Sequence, residues 1–313
     1  MNKEELKENL GKIFVDEKPF GLEVYAVLKQ NNNLIMKKFL TTDELNARLS
    51  YLIKKVIEQN YLLDEIELEA SDNISDNKKN CIYDILVTEA YDPFSVINDY
   101  KDTNLQYDEE DSKALMGFLF RMNFNDNHFW AYQQVYPVTM LKKSNSVYAV
   151  IGKNKTYDEL KKDIIAIGSR IDLLVLGQHI ITGNIGLLQN KFGFEKYIRQ
   201  EARFAIDIIV ETGIVTDPEI LVRFSSKEKL TNAKKLMKAK NSPVLRIEKT
   251  ELIKRIGRHS RYSSMIKIDN DEIQLGSEKD VNSFIKLLND DIVRSELTET
   301  EYDSISKREL EPV

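Results

Sequence analysis

Between residues 227 and 261 the chain reads KEKLTNAKKLMKAKNSPVLRIEKTELIKRIGRHSR. Residues 223 to 267 hold fourteen Lys and Arg against three Glu, a net +11 in a protein whose formal net charge is −6. These cations have a spacing. At 100° per residue, Lys227, Lys234, Lys235 and Lys238 fall within roughly one third of a helix circumference, with Leu230, Ala233, Leu236 and Met237 largely opposite. Ser225 and Glu228 have capping-box spacing ahead of them. The pattern predicts one helix that packs on its apolar side and turns ammonium groups to water, rising about 16 Å from Lys227 to Lys238. A duplex presents a phosphate about every 3.4 Å along each strand, so such a face meets several. A second helix, ELIKRI, capped by Thr250 and stopped at Gly257, adds Lys254, Arg255 and Arg258, and Arg261 follows. Arginine forks bind two phosphate oxygens at once. The eight residues Lys227, Lys234, Lys235, Lys238, Lys254, Arg255, Arg258 and Arg261 are the candidate contacts to double-stranded DNA, holding it without reading its sequence. The plain alternative is a basic exterior neutralised by the acidic part of the same chain, and the residues alone leave both open.

That acidic part runs from residue 64 to 111, with fifteen Asp and Glu against three Lys. A charge run of this kind usually faces water. Docked on the basic segment instead, it would screen it.

Other chemistry finds less support. The three histidines, His128, His179 and His259, have no second His or Cys at metal-ligand spacing. There is no GxxxxGK[ST] phosphate cradle, no GxGxxG and no GxSxG elbow, and Cys81 has no nearby histidine as a base. Asp84 and Asp172, both in strand-like runs, are the acids a metal-dependent nuclease would draw on; as acids at sheet ends they need no such role. No catalytic residue, metal or cofactor is therefore assigned. Trp130, beside Phe129 and Tyr132, reads as core packing.

A single cysteine excludes an intramolecular disulfide and suits a reducing compartment. The opening MNKEELKENLGKIF is a charged amphipathic helix, unlike a signal peptide, and no apolar run is long enough to span a bilayer. The expectation is a cytoplasmic protein.

The elements that would position these residues follow from periodicity. GLEVYAVLKQ and NLIMKKFL read as a hairpin, and TTDELNARLSYLIKKVIEQN as a helix on it, with Thr41 and Glu44 at capping-box spacing. LMGFLFRMNF, HFWAYQQVYPV and SVYAVIG are strands. TYDELKKDIIAI reads as a polar helix, RIDLLVLG and QHIITG as further strands broken at Gly177. Phe194, Ile198, Ala202, Ala205 and Ile209 mark another helix. VLRI reads as a short strand, SMIKI and EIQL as a hairpin, and Ser277 and Asp280 open a last helix. The fold class is α+β, a mixed or antiparallel sheet with packed helices. Its domains are residues 1–216, including the acidic segment, and a smaller basic α/β subdomain, 217–313, starting at the turn Thr216-Asp217-Pro218.

The runs NHFWAYQQVYPV, SRIDLLVLGQHIITGNIGLLQNKFGFEKYIRQEA and FIKLLNDDIVRSELTETEYDSISK resemble the KwaB-like family, over roughly residues 115 to 307. The resemblance implies a cytoplasmic, self-associating DNA-binding effector of the Kiwa anti-phage system. It would hinder phage replication or late transcription beside a membrane partner, KwaA, and assemble as a homodimer or higher oligomer. Two rival readings of the residues are a nuclease acting on phage DNA, and a sensor or assembly protein whose basic face meets a protein or an anionic membrane.

Overall fold

The computed structural model describes residues 1–14, 21–31, 33–71, 74, 80–86, 105–124, 127–136, 140–141, 149–151, 157–159, 164–294, 297 and 300–303. The fold is α+β and falls into two units. One comprises Met1–Ser71 and Asn77–Phe192, the other Asp72–Asp76 and Gly193–Val313.

The first unit opens with α1 (Lys3–Phe14), then β1 (Gly21–Gln30), β2 (Asn33–Lys38), α2 (Asp43–Asn60), β3 (Glu67–Ala70) and β4 (Cys81–Leu86). A 3-10 turn, Glu109–Lys113, leads into β5 (Leu115–Phe124) and β6 (Asn127–Gln134). Four short strands follow, β7 (Met140–Leu141), β8 (Ala149–Ile151), β9 (Tyr157–Glu159) and β10 (Ile164–Ile165). Last come β11 (Leu173–Leu176), β12 (His179–Thr182) and α3 (Ile185–Lys191).

Eight strands form one mixed sheet in the order β2-β1-β5-β6-β11-β12-β4-β3. Only β3 and β4 run parallel; the other pairs are antiparallel. The predicted hairpin is present, closed at Asn31 with φ 50°, a left-handed conformation that asparagine tolerates. The expected helix at 156–167 is not: Tyr157–Glu159 pairs with β8 and Ile164–Ile165 with β7. Two-residue pairings leave too little sequence for an alternation to outweigh the helical look of DELKK.

Strand alternation places Val24, Ala26, Phe118, Phe120 and Met122 on one side of the sheet, where they pack with Leu6 and Leu10 of α1 and Leu49, Ile53, Val56 and Ile57 of α2. The helix thus covers the hairpin as its apolar stripe predicts, although Thr42 and not Thr41 caps it, accepting from the Leu45 amide. The residues between them in register line the opposite side, where Tyr25 meets Trp130 at 5.8 Å and Tyr132 meets Phe192 at 5.3 Å. Trp130 is 2% exposed, a core residue.

The second unit begins with α4 (Phe194–Glu211), which buries the predicted set Phe194, Ile198, Ala202, Ala205 and Ile209. The turn Thr216-Asp217-Pro218 lies within this unit. Then come α5 (Glu219–Ser225), α6 (Thr231–Ala239), a 3-10 turn Pro243–Arg246, α7 (Lys249–Arg258) and α8 (Ser260–Met265). The hairpin β13 (Ile268–Asp269) and β14 (Glu272–Ile273) turns on Asn270 and Asp271, both at positive φ as a tight two-residue turn requires. The unit ends with α9 (Glu278–Leu288), capped by Ser277, and the pair β15 (Ile292–Arg294) and β16 (Glu301–Asp303).

Three local expectations fail here. Ser225 ends α5 instead of capping the basic helix, which starts only at Thr231. VLRI coils into the 3-10 turn, where Pro243 is at the first position and Ser242 accepts from the Val244 amide. Helix α7 is capped by Glu248, not Thr250, and runs one residue past Gly257.

Candidate nucleic-acid interface

The structure separates the eight cationic residues into two groups. Lys227 lies in the segment joining α5 to α6, exposed, with its ammonium on Glu278 at the start of α9. On α6, Lys235 is exposed and donates to Asn282 Oδ1 at 2.9 Å. Lys238 is partly buried, and Lys234 is only 8% exposed, which corrects its assignment to a water-facing row. The reason is that α6 is covered from two sides, by α4 and by α9. Its buried set Ala233, Leu236, Met237 and Ala239 is wide enough to carry the stem of Lys234 inside with it. Nearby, Lys240 pairs with Glu201 at 2.6 Å and lies 5.5 Å from the Phe204 ring. Much of the cation row on α6 therefore fastens helices together.

Lys254, Arg255, Arg258 and Arg261 form the second group, all exposed, within eight residues of chain. Leu252 and Ile256 hold the opposite face of α7 in the core. Arg255 is 60% exposed and donates from Nε to Glu251 at 2.8 Å, a hydrogen bond that holds the Glu251 carboxyl below its usual range. Lys254, Arg258 and Arg261 make no ion pair among the described residues. Arg255 and Arg258 also sit in the last turn of α7, where its dipole favours positive charge. His259 closes α7 and opens α8, its Nδ1 accepting from the Tyr262 amide at 3.3 Å. That corner sets Arg258 and Arg261 on successive helices.

One structural residue that positions the basic loop escaped the sequence reading. Arg199 of α4 donates to the carbonyls of Ser225, Lys227 and Glu228 at 3.3, 3.1 and 3.2 Å, and its Nε to Glu195 at 2.9 Å. It fixes the loop that carries Lys227 and Lys229. The only trace in the sequence is the Glu195–Arg199 spacing of four.

Asp84 and Asp172 both have partners. Asp84 of β4 accepts from the Met1 ammonium at 2.7 Å and meets His179 Nδ1 at 2.8 Å, diagonally across the β4–β12 pair. Asp172, just before β11, accepts from the Gln134 amide at 2.7 Å and pairs with Arg170 at 3.1 Å. Among the described residues no three His, Cys, Asp or Glu stand together as a metal site would require. His128 is exposed, edge-on to Trp130. No described helix is long and apolar enough to cross a membrane.

Residues 112–298 match the family model described as Kiwa protein KwaB-like, a stretch that holds β5 and β6, α4 and the whole basic segment. The Kiwa protein KwaB of Escherichia coli O55:H7 is 27% identical over 179 residues, 56% of this chain and 56% of that one. The match thus spans little more than half of that relative. No solved structure matches the chain.

Proposed function

This chain belongs to the KwaB-like family of Kiwa proteins, and from that membership we propose that it is a non-catalytic component of an anti-phage defence system that binds double-stranded DNA largely irrespective of sequence. In this reading it hinders phage replication or transcription beside a KwaA-like membrane protein, and acts as a homodimer or larger assembly in the cytoplasm. The observation that carries the proposal is the exposed group Lys254, Arg255, Arg258 and Arg261 on α7 and α8, four cations within eight residues on a rigid helical corner. Lys227 and Lys235 are further candidate contacts, because their partners Glu278 and Asn282 are exchangeable surface contacts.

The experiment is duplex affinity against salt for the triple variant Lys254→Glu, Arg258→Glu, Arg261→Glu. Each lost phosphate contact lowers the slope of log affinity on log salt by about 0.9. The expected result is weaker binding on every sequence and a slope shallower by about two to three. An unchanged slope moves the interface elsewhere.

A further inference from the structure

In the second unit a cleft of about 310 Å3 opens beside the 3-10 turn Pro243–Arg246 and α7. That is the small end of ligand pockets, which run from roughly 300 to 1,000 Å3. Its floor is aliphatic, from Val244, Ile247, Leu252 and Ile256. One wall is aromatic, the rings of His259 and Tyr262 lying 4.6 Å apart at 46°. Two side chains of opposite charge, Arg255 and Asp290, also line it.

The aromatic wall is held in place. His259 Nδ1 accepts from the Tyr262 amide, so the neutral ring keeps its proton on Nε2. The Tyr262 hydroxyl donates to the Lys286 carbonyl at 3.4 Å and accepts from the Ile292 amide at 3.2 Å. With its polar tip occupied, Tyr262 has only ring to offer a ligand.

We propose that this cleft binds the base of a single nucleotide, stacked on His259 and Tyr262, with an exocyclic amine to Asp290 and the phosphate to Arg255. The combination of groups selects this class. A lipid chain would set hydrocarbon against the Asp290 carboxylate, and a lysine or arginine side chain would meet the charge of Arg255. A nucleotide uses all three features, an apolar face, a hydrogen-bond donor and an anion. The same chemistry comes from a free mononucleotide or from an unstacked base of a DNA strand. The cleft shares Arg255 with the proposed duplex contacts, so the two readings are separated by Ile247→Trp on the cleft and by the Lys254, Arg258 and Arg261 variant on the duplex.

The test titrates the full chain with the fluorescent base 2-aminopurine, first as its free 5′-monophosphate and then inside a short single strand. Stacking should quench the probe saturably in at least one arm, and the arm that saturates names the source. Ile247→Trp, which fills the cleft from a half-buried position, should weaken that binding at least tenfold while leaving affinity for blunt duplex unchanged. Unlabelled dAMP and dCMP should compete better than dTMP, whose base has no exocyclic amine. Asp290→Gly removes the side-chain acceptor and should erase that difference; Asp290 has φ 50°, which glycine adopts freely. This second variant decides the matter if Ile247→Trp does not fold. Absence of quenching in both arms overturns the proposal, as does quenching indifferent to a folded Ile247→Trp. So would an oligomer that Ile247→Trp dissociates, because a second copy would then occupy the cleft.

Discussion

A methyl group added at Gly117 would run into the ring and hydroxyl of Tyr132, which crosses from β6 to donate to the Met116 carbonyl at 3.2 Å. Gly117→Ala should therefore cost about 1–3 kcal/mol, read as a lower urea midpoint, because the ring is 1% exposed and cannot move aside. Tyr132 and Tyr61 also govern alkaline behaviour. Burial, with Asp172 adding to it, pushes both phenols well above the ordinary tyrosine value. Above about pH 10 the unfolded chain gives up these protons while the folded chain keeps them, so the stability present below that pH is lost as pH rises. Unfolding curves between pH 9 and 11 should show the decline, and Tyr61→Phe should flatten it at the cost of the hydrogen bond to the Ile171 carbonyl. Single residues were unevenly legible in the sequence. Trp130 announced itself as core through its aromatic neighbours, whereas Lys234 looked solvent-facing because a helical wheel knows one packing side and α6 has two.

Elements were read best where a period ran long. GLEVYAVLKQ and LMGFLFRMNF give β1 and β5 at their observed bounds, and the Phe194-to-Ile209 repeat gives α4. Ribbons of two or three residues left no period to find, and the loop 226–230 reads as the first turn of the first basic helix because it is itself charged. That loop depends on Arg199. One planar guanidinium reaches three carbonyls and Glu195; a lysine ammonium lacks that fork. Both Arg199→Ala and Arg199→Lys should leave the chain folded by circular dichroism yet speed tryptic cleavage after Lys227 and Lys229 several-fold. Equal cleavage rates would show that the loop holds itself. The cap of α9 gives a second measure. Ser277→Ala removes the acceptor for the Asp280 amide and the donor to its carboxylate, and should cost about 1 kcal/mol in a urea titration.

Charge asymmetry spans the molecule, and the sequence displayed it openly. What no sequence count could show is where each acid is spent. Asp64, Asp84 and Asp111 pair with Lys7, the Met1 ammonium and Lys37, all in the first unit, so these carboxylates are matched locally. The expectation that the segment from 64 to 111 screens the basic residues now falls on its middle, most of which lies outside the described residues. Replacing Asp92, Asp99 and Asp102 by Asn should raise duplex affinity at low salt and much less at high salt. Equal affinity at both would retire the screening idea.

Between β3 and β4, Asp72–Asp76 groups with the second unit, and Ile74 there is 3% exposed. A clone of residues 193–313 alone would therefore omit part of the sequence assigned to the second unit.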